Sequence, residues 1–343
     1  MIQGFPEGGN YKVMVQCCTY NQSRYIEDTL NGFVMQQTDF PFVCCVFDDA
    51  STDGEQVVLR QWIQNHCILE EVEEYDHPLT SILMAPDKDN PNCIYAIHLQ
   101  KINTFGKPEK LEMFAHWEEK CEYVAICEGD DYWIDPLKLQ KQVDFLEANP
   151  EYGMCYTKTQ HYIQCKNRSG KTYGGPYCEF QHLIKSNSIP TLTVLMNREL
   201  MCRYINEVKP HTRGWKMGDY PMWLWFSYNS KIKFIDEVSG VYRILQDSAS
   251  HSRKVENFIE FMQSGIDIKA FYKFLYTTEY TSRQYSTDLW LVKLRSYAIY
   301  NERLKFMHTW KEGIKQDIWR IFAIKPCMYT VYFFCAKLRN DKL

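Results

Sequence analysis

The first part of the chain alternates between short apolar runs and segments whose apolar residues recur at helical spacing. Residues 13–18 (VMVQCC) form an apolar run that predicts a first strand. Residues 26–34 carry apolar side chains at i, i+4, i+7 and i+8, and Ser23 can cap the helix that this spacing predicts. Residues 42–47 are continuously apolar, as in a strand covered on both faces, and a second helix is predicted over 55–66. This alternation predicts an α/β fold with a mostly parallel sheet flanked by helices.

The pattern is less regular further along the chain. A cluster of Pro, Asn and Asp at 86–92 predicts a surface loop. Residues 123–127 predict another strand, and Asp135, followed by a proline, predicts the N-cap of the next helix. Towards the C-terminus the spacing becomes mostly helical and aromatic residues are frequent. We therefore expect an α/β domain over residues 1–252 and a helical region over residues 253–343.

Composition narrows the class of protein. Hydrophobic residues are 45% and aromatic residues 15% of the 343-residue chain, which indicates a globular protein with a sizeable core. A formal net charge of −4 provides no basic field, so no nucleic-acid partner is expected. The adjacent pairs Cys17-Cys18 and Cys44-Cys45 lie in predicted strands, which favours buried free thiols in a reducing compartment. The sequence has neither a signal-peptide pattern nor an apolar stretch long enough to span a bilayer.

Polar clusters follow three of the predicted strands. They are Thr19-Tyr20-Asn21, Asp48-Asp49 and Glu128-Gly129-Asp130-Asp131. In a parallel α/β sheet, ligands bind outside the carboxyl ends of the strands, so the three clusters would border one site. The last cluster offers only hard oxygen ligands, which favours Mg²⁺ or Mn²⁺; a solvated turn with Asp as a cap is the alternative. The sequence has no Gly-rich dinucleotide motif after the first strand and no P-loop motif.

Four segments, taken in order, resemble the glycosyltransferase family 2 pattern. They are VMVQCCTYNQSRYIEDTLNGFVMQQ, FVCCVFDDASTDGE, YVAICEGDDYWIDPLKLQKQVDFLEANPEYGMCYT and MGDYPMWLWFSYNSKIKFIDEVSGVYRILQDSASHS. Together they cover roughly residues 11–252. The resemblance implies the GT-A fold, a nucleotide-binding, Rossmann-like sheet flanked by helices, followed here by a C-terminal helical extension.

The resemblance implies nucleotide and acceptor roles for four residues. Thr19 and Tyr20 match the end of the first strand, where the family holds the nucleotide base. Asp49 matches the acidic residue that contacts the base or ribose, with helix capping as its alternative role. Asp219, in the segment GDYP, matches the carboxylate that activates the acceptor, and capping of the aromatic helix after it is again the alternative.

Metal and phosphate roles fall to a second group of residues. Asp130 and Asp131 match the metal-binding acidic motif, usually written D-x-D; Glu128 occupies its first position and would contact ribose or bound water. Arg243 and His251 lie in a stretch that resembles the family's diphosphate-side loop. Arg243 suits phosphate by bidentate pairing, and His251 would add a metal ligand or a phosphate contact. Ordinary surface or packing roles are the alternative for both.

These roles describe a metal-dependent inverting glycosyltransferase of hexosyltransferase type, with Mn²⁺ or Mg²⁺ as cofactor. Its donor would be a nucleotide-diphosphate sugar, its acceptor a hydroxyl of a glycan or lipid-linked molecule, and its pathway the synthesis of a bacterial surface polysaccharide. The expected location is cytoplasmic, at the inner face of the membrane if the C-terminal tail binds there. The tail residues that favour membrane contact, against a packed helix or a partner contact, are Trp319, Phe322, Tyr329, Tyr332, Phe333 and Phe334.

Two other function classes are open on the sequence. A sugar nucleotidyltransferase uses a similar sheet with carboxylates around a metal, but requires a Gly-rich, basic loop after the first strand, which residues 19–24 lack. A non-catalytic sugar-binding module would have a decayed site, whereas Asp49, Asp130, Asp131 and Asp219 are all present.

Overall fold

The computed structural model describes residues 5–245, 254–277, 280–317 and 319. The chain forms two compact units. Unit 1 comprises Met1–Thr212 with Met222–Ile244, and unit 2 comprises Arg213–Pro221 with Leu245–Leu343. The predicted boundary after residue 252 lies outside the described residues and stays a prediction.

Unit 1 is an α/β structure. Its described residues form eleven strands: β1 (Tyr11–Thr19), β2 (Phe42–Asp48), β3 (Glu73–Asp76), β4 (Thr80–Pro86), β5 (Cys93–Gln100), β6 (Cys121–Ile126), β7 (Tyr132–Trp133), β8 (Tyr152–Ile163), β9 (Arg168–Tyr173), β10 (Leu195–Asn197) and β11 (Lys231–Ile244). The helices between them are α1 (Ile26–Val34), α2 (Glu55–His66), α3 (Pro108–Glu118), α4 (Lys138–Ala148), α5 (Phe180–Leu183) and α6 (Arg198–Val208). Helix α7 (Asp219–Asn229) begins in unit 2 and continues in unit 1 from Met222.

The strands of the described residues form one sheet in the order β3-β4-β5-β2-β1-β6-β10-β8-β11-β7, with β9 paired to β8. Its central ladders are parallel: β1 pairs with β2 and β6, and β2 pairs with β5. Strand β8 also runs parallel to β11, whereas β10 joins β6 to β8 by antiparallel pairing. The predicted α/β class, with a mostly parallel sheet flanked by helices, is confirmed.

Strands β1 and β2 show why the sheet has an apolar core on both faces. Strand β2 is buried along its whole length. Neighbouring residues of a strand point to opposite faces, so Cys44 packs in one apolar cluster and Cys45 in the other. Cys17 and Cys18 divide between the two faces in the same way. Every described cysteine has a free thiol, as the sequence predicts.

Two predicted helix caps are wrong. Helix α1 begins at Ile26, three residues after Ser23, and none of the described side chains caps it. Helix α4 begins at Lys138, and Asp135 instead accepts a hydrogen bond from the backbone N–H of Leu137 at 3.0 Å. Both polar residues lie before the first helical turn, and neither caps its helix.

The part of the sequence without a regular pattern of hydrophobic residues contains β3, β4 and β5. Residues 87–92 connect β4 to β5, which confirms the predicted loop there. Strand β5 lies beside β2 and runs parallel to it. Its carboxyl end therefore lies at the same edge of the sheet as the polar clusters predicted from the sequence.

In unit 2 the described residues form α8 (Val255–Tyr276), α9 (Ser282–Ile299) and α10 (Arg303–Gln316), which confirms the predicted helical extension. A capping box between Thr281 and Gln284 begins α9, and Trp290 and Phe306 belong to one apolar cluster of α9 and α10. The tail residues considered for membrane contact lie, apart from Trp319, outside the described residues. Over the described ranges, the helices do not reach the combination of length and apolar character that crossing a bilayer requires.

Candidate functional site

Of the predicted nucleotide and metal residues, Thr19, Tyr20, Asp49 and residues 128–131 lie at the carboxyl ends of β2, β1 and β6, which are neighbours in that order. Backbone hydrogen bonds join the three segments at this edge. The N–H of Asp49 donates to the carbonyl of Thr19 at 3.0 Å, and the N–H of Gly129 donates to the carbonyl of Cys18 at 3.0 Å. The acidic turn, residues 128–131, and Asp49 therefore lie on either side of the end of β1.

Gly129 allows the acidic turn to approach β1 closely. A Cβ at this position would lie 2.2 Å from Thr19 Oγ1 and 2.5 Å from Thr19 Cβ, far inside van der Waals contact. Thr29, in α1, holds the turn as well: its hydroxyl lies 2.6 Å from the carbonyl of Asp131 and 3.0 Å from that of Gly129. The backbone of the turn is thus fixed by β1 and by α1.

Burial sets the electrostatics of the acidic turn. Asp131 is 2% exposed, and burial, reinforced by the charges of Asp130 and Glu128, raises its pKa well above the ordinary value. The backbone N–H of Arg243 partly offsets this effect. Burial also raises the pKa of Asp130. Carboxylates that are destabilised by burial and mutual repulsion are stabilised in their charged form by a cation.

The acidic turn fits a hard divalent cation whose shell is completed by other molecules. Within the described ranges, no three or more His, Cys, Asp or Glu side chains are grouped as a metal site. Mg²⁺ commonly takes only one or two protein carboxylates and fills its shell with water and substrate phosphates. Asp130 and Asp131 can supply that pair. His251, the third predicted ligand, lies outside the described residues.

Trp133 anchors the chain where it leaves the acidic turn. Its indole N–H donates to the carbonyl of Leu192 at 2.7 Å, and its ring packs edge-on against Phe33. The ammonium of Lys138 lies 4.1 Å from the centre of the Trp133 ring and donates to Gln142 at 2.8 Å. Burial lowers the pKa of Lys138 to about 8. These contacts fix the position of the chain directly after the acidic turn, where it enters the core.

Asp49 belongs to a second polar cluster, at the end of β2. Its Oδ1 accepts hydrogen bonds from the backbone N–H and the hydroxyl of Thr104, at 2.6 and 2.7 Å. Its Oδ2 lies 3.3 Å from the ammonium of Lys110. Asp49 is 3% exposed, and because a carboxylate oxygen can accept about two hydrogen bonds, Oδ2 has capacity for one further donor. That is the contact that the predicted base or ribose role requires.

Sequence reasoning missed Thr104 and Lys110, which follow β5 along the chain. A signal was present, since residues 93–97 (CIYAI) form a short apolar run like those of β1 and β2. A parallel strand there would end beside Asp49, and the polar residues after it would then be candidates for the site.

Glu55, also missed, ties together the loops after β1 and β2. One of its oxygens accepts a hydrogen bond from the hydroxyl of Thr19. The other accepts from the backbone N–H of Gln22 at 2.8 Å and from the hydroxyl of Ser51 at 2.9 Å. Burial raises the pKa of Glu55. The hydroxyl of Thr19 is therefore engaged within the chain, whereas Tyr20 is 48% exposed and accessible to a ligand.

Arg243 and Asp219 lie on other elements, and Arg243 contacts the acidic turn. Arg243, in β11, is buried and its Nε donates to the carbonyl of Asp130 at 2.8 Å. Asp219 is the first residue of α7 and belongs to unit 2, whereas the acidic turn belongs to unit 1. Its Oδ1 lies 2.7 Å from the backbone nitrogen of Tyr220. A carboxylate at a helix N-terminus stabilises the helix, which suits the capping role of Asp219; its acceptor-activating role stays a prediction.

Comparison with known proteins finds distant relatives, and no family model matches the chain. An uncharacterised protein of Mycobacterium tuberculosis is 32% identical over 138 residues, or 40% of this chain and 32% of that protein. The match thus spans about a third of the relative's length. TuaG of Bacillus subtilis, provisionally named a teichuronic acid biosynthesis glycosyltransferase, is 25% identical over 201 residues, or 55% of this chain and 64% of TuaG.

Two solved structures match most of the chain at low sequence identity. TarS 1-349 of S. aureus in complex with UDP has a TM-score of 0.48 and 15% identity, over 89% of this chain and 90% of TarS 1-349. The mannosyltransferase PcManGT of Pyrobaculum calidifontis, in complex with GDP-Man and Mn²⁺, has a TM-score of 0.47 and 15% identity, over 97% of this chain and 88% of PcManGT. None of these sequence or structure matches assigns the chain to a family.

Proposed function

We propose that the protein is a glycosyltransferase of the family 2 type, with a GT-A fold. It transfers a sugar from a nucleotide-diphosphate donor to a hydroxyl of a glycan or lipid-linked acceptor during polysaccharide synthesis. The observation that carries the proposal is the hydrogen-bonded arrangement of Asp49, Thr19 and the acidic turn at one edge of a parallel sheet, where such sheets bind ligands. The segments that resemble family 2 contain these same strand ends, and the similarity to TuaG supports the same class of function.

The two polar clusters bind different parts of the donor. Asp49 and Tyr20 bind the nucleoside. Oδ2 of Asp49, which lies beside the ammonium of Lys110, accepts a hydrogen bond from the nucleoside. Asp130 and Asp131 would hold Mn²⁺ or Mg²⁺ beside the diphosphate. When bound, the divalent cation stabilises the negative charge that develops on the leaving diphosphate.

The acceptor side depends on Asp219. The acceptor hydroxyl attacks the anomeric carbon on the face opposite to the diphosphate, while the bond from that carbon to the phosphate oxygen breaks and its electron pair leaves with the diphosphate. Asp219 takes the proton of the hydroxyl as a general base, a contribution of about 10²–10⁴-fold. One displacement inverts the configuration of the anomeric carbon. Support for this assignment is the position of Asp219 in the GDYP segment that resembles the family.

A panel of nucleotide sugars tests the proposal. Purified protein with Mn²⁺ should release a nucleoside diphosphate from one of them, slowly to water and faster with a glycan acceptor. Chelation of the metal should stop the release, and added Mn²⁺ should restore it. Pyrophosphate formed from a nucleoside triphosphate and a sugar phosphate would instead identify a nucleotidyltransferase. Failure of nucleoside diphosphates with Mn²⁺ to raise the melting temperature would favour a non-catalytic module.

A further inference from the structure

Arg243 contacts the acidic turn in two places. Its backbone N–H donates to Oδ1 of Asp131 at 2.8 Å, and its Nε donates to the carbonyl of Asp130 at 2.8 Å. Strand β11, which contains Arg243, also pairs with β7 directly after the turn, where Val241 lies opposite Tyr132. The Arg243 contacts continue this pairing into the turn, so they fix both its backbone and one of its carboxylates.

The rest of the guanidinium group is held by other parts of unit 1. Its Nη2 lies 2.7 Å from Oδ2 of Asp28, in α1, and its Nη1 donates to Oε1 of Gln164 at 3.1 Å. The guanidinium carbon lies 4.6 Å from the ring centre of Tyr25 and 5.2 Å from that of Tyr132. All three guanidinium nitrogens thus have partners within the chain, and the side chain is 6% exposed.

This arrangement differs from that of a phosphate-binding arginine. Such a residue presents its forked N–H groups to the ligand, whereas Arg243 directs them at Asp130, Gln164 and Asp28. Each terminal nitrogen keeps a second N–H, but the side chain is 6% exposed, so a diphosphate would reach those N–H groups only if the surrounding side chains moved. The family resemblance places Arg243 on the diphosphate; its contacts favour a role within the protein.

We propose that Arg243 is a positioning residue of the acidic turn. It holds Asp130 and Asp131 in the arrangement that binds the divalent cation, Asp28 holds Arg243 in turn, and Arg243 does not contact the donor diphosphate. This inference rests on the proposed function, because it concerns the metal-binding part of a donor site.

Three variants test the positioning role: Arg243→Lys, Asp28→Asn and the two combined. Each single variant should weaken Mn²⁺ binding, measured by calorimetry without donor, by about 10–100-fold, the usual effect of removing a group that orients metal ligands. Each should also accelerate hydrogen exchange of the backbone amides at 128–133. The double variant should bind no more weakly than the weaker single variant, because both changes break the same chain of contacts.

A matched pair provides the control. Arg60 and Glu74 form an exposed ion pair at 3.1 Å in the same unit. Arg60→Lys and Glu74→Gln repeat the same kinds of substitution away from the site. Both should leave Mn²⁺ affinity and the exchange of residues 128–133 unchanged.

Asp28→Asn separates positioning from phosphate binding. If Arg243 bound the diphosphate, releasing it from Asp28 would maintain or raise nucleoside diphosphate affinity, whereas Arg243→Lys would lower it. That pattern, with unchanged Mn²⁺ affinity and exchange in both variants, would overturn the proposal. Asp28 is 56% exposed, so Asp28→Asn should fold normally. Exchange needs neither metal nor donor, so it tests the positioning of the turn separately from the proposed function. Faster exchange in the variants, together with no Mn²⁺ binding by the wild-type protein, would retain the positioning role and refute the metal-binding role of the turn.

Discussion

Gly129 lies so close to Thr19 that a Cβ at position 129 would be 2.2 Å from Thr19 Oγ1. The threonine has little freedom to move away, because its hydroxyl is hydrogen-bonded to the buried carboxyl of Glu55. The contact joins the acidic turn to the end of β1. Any side chain at position 129 must therefore displace the turn, β1 or both.

Replacing Gly129 by alanine should displace the acidic turn. We expect a loss of about 1–3 kcal/mol in the free energy of unfolding, the usual cost of overpacking a buried site. Mn²⁺-dependent binding of nucleoside diphosphates should weaken as well, because the turn carries the proposed metal ligands. Urea denaturation measures the first effect and calorimetry the second.

Gly175→Ala is the matched control for this change. No described atom lies within 4 Å of a Cβ added there, and its φ angle is not in the left-handed region. Gly175→Ala should therefore leave stability and nucleotide binding unchanged. A Gly129→Ala variant that behaved like this control would show that the close contact with Thr19 does not constrain the turn.

Asp219→Asn should abolish sugar transfer and leave donor binding intact. An amide cannot accept the proton of the acceptor hydroxyl, so kcat should fall by about 10²–10⁴-fold. Nucleoside diphosphate affinity should change little, because the role of Asp219 concerns the acceptor. Initial rates and calorimetry separate the two effects. Asp39→Asn, at an exposed position between α1 and β2, is the control, and full activity in Asp219→Asn would exclude this residue as the base.

Thr104→Val should weaken nucleoside binding through Asp49. The substitution removes the hydroxyl that donates to Asp49 Oδ1 and keeps the backbone N–H that donates to the same oxygen. A hydrogen bond to a charged group contributes about 1.5–3 kcal/mol, so the free energy of unfolding should fall by an amount of that order. Nucleoside diphosphate affinity should fall too, because Asp49 loses part of its orientation. Calorimetry and urea denaturation check both effects.

Thr104→Ser keeps the hydroxyl and should retain both stability and affinity. A Thr104→Val variant that is less stable but binds nucleoside diphosphates like the wild-type protein would argue against Asp49 as the nucleoside contact. The two measurements therefore distinguish a structural role of Asp49 from a binding role.

Local patterns in the sequence predicted the elements that form the site. The apolar runs of β1 and β2 and the helical spacing of α1 are signals within a few residues of each other, and each element forms as expected. The rule for parallel sheets then placed Asp49 and the acidic turn at one edge, where the structure brings them to either side of β1. The sequence therefore predicts those features of the site that depend only on neighbouring residues and on the geometry of a parallel sheet.

Contacts between distant parts of the chain could not be predicted in this way. Asp28 lies 215 residues before its partner Arg243, and Gln164 lies 79 residues before it. Their meeting depends on β11 pairing with both β8 and β7, which no local pattern indicates. Lys110 is a different case: its approach to Asp49 depends on β5 lying beside β2, and the apolar run at 93–97 indicates that only when it is interpreted as a parallel strand.

Glu118, at the end of α3, makes the stability of the protein depend on pH. It is 6% exposed, and burial raises the pKa of its carboxyl from an ordinary value of 4.5 to about 7, although Arg198 partly offsets this effect. Between these two pH values the folded protein keeps a proton that the unfolded chain has released. The stabilisation is therefore fully present below about pH 4.5 and is lost as the pH rises through about 7.

Glu118→Gln, which cannot ionise, should remove this pH dependence. The free energy of unfolding of the variant minus that of the wild-type protein should rise by about 2–3 kcal/mol from pH 5 to pH 8. This amount corresponds to about two pKa units at 1.4 kcal/mol each. Urea denaturation at the two pH values, followed by tryptophan fluorescence, measures the difference. Glu112→Gln removes an exposed carboxylate from the same helix, one that does not contribute to the Glu118 pKa, and should follow the wild-type curve. Parallel pH curves for Glu118→Gln and the wild-type protein would mean that Glu118 is ionised in the folded state at neutral pH.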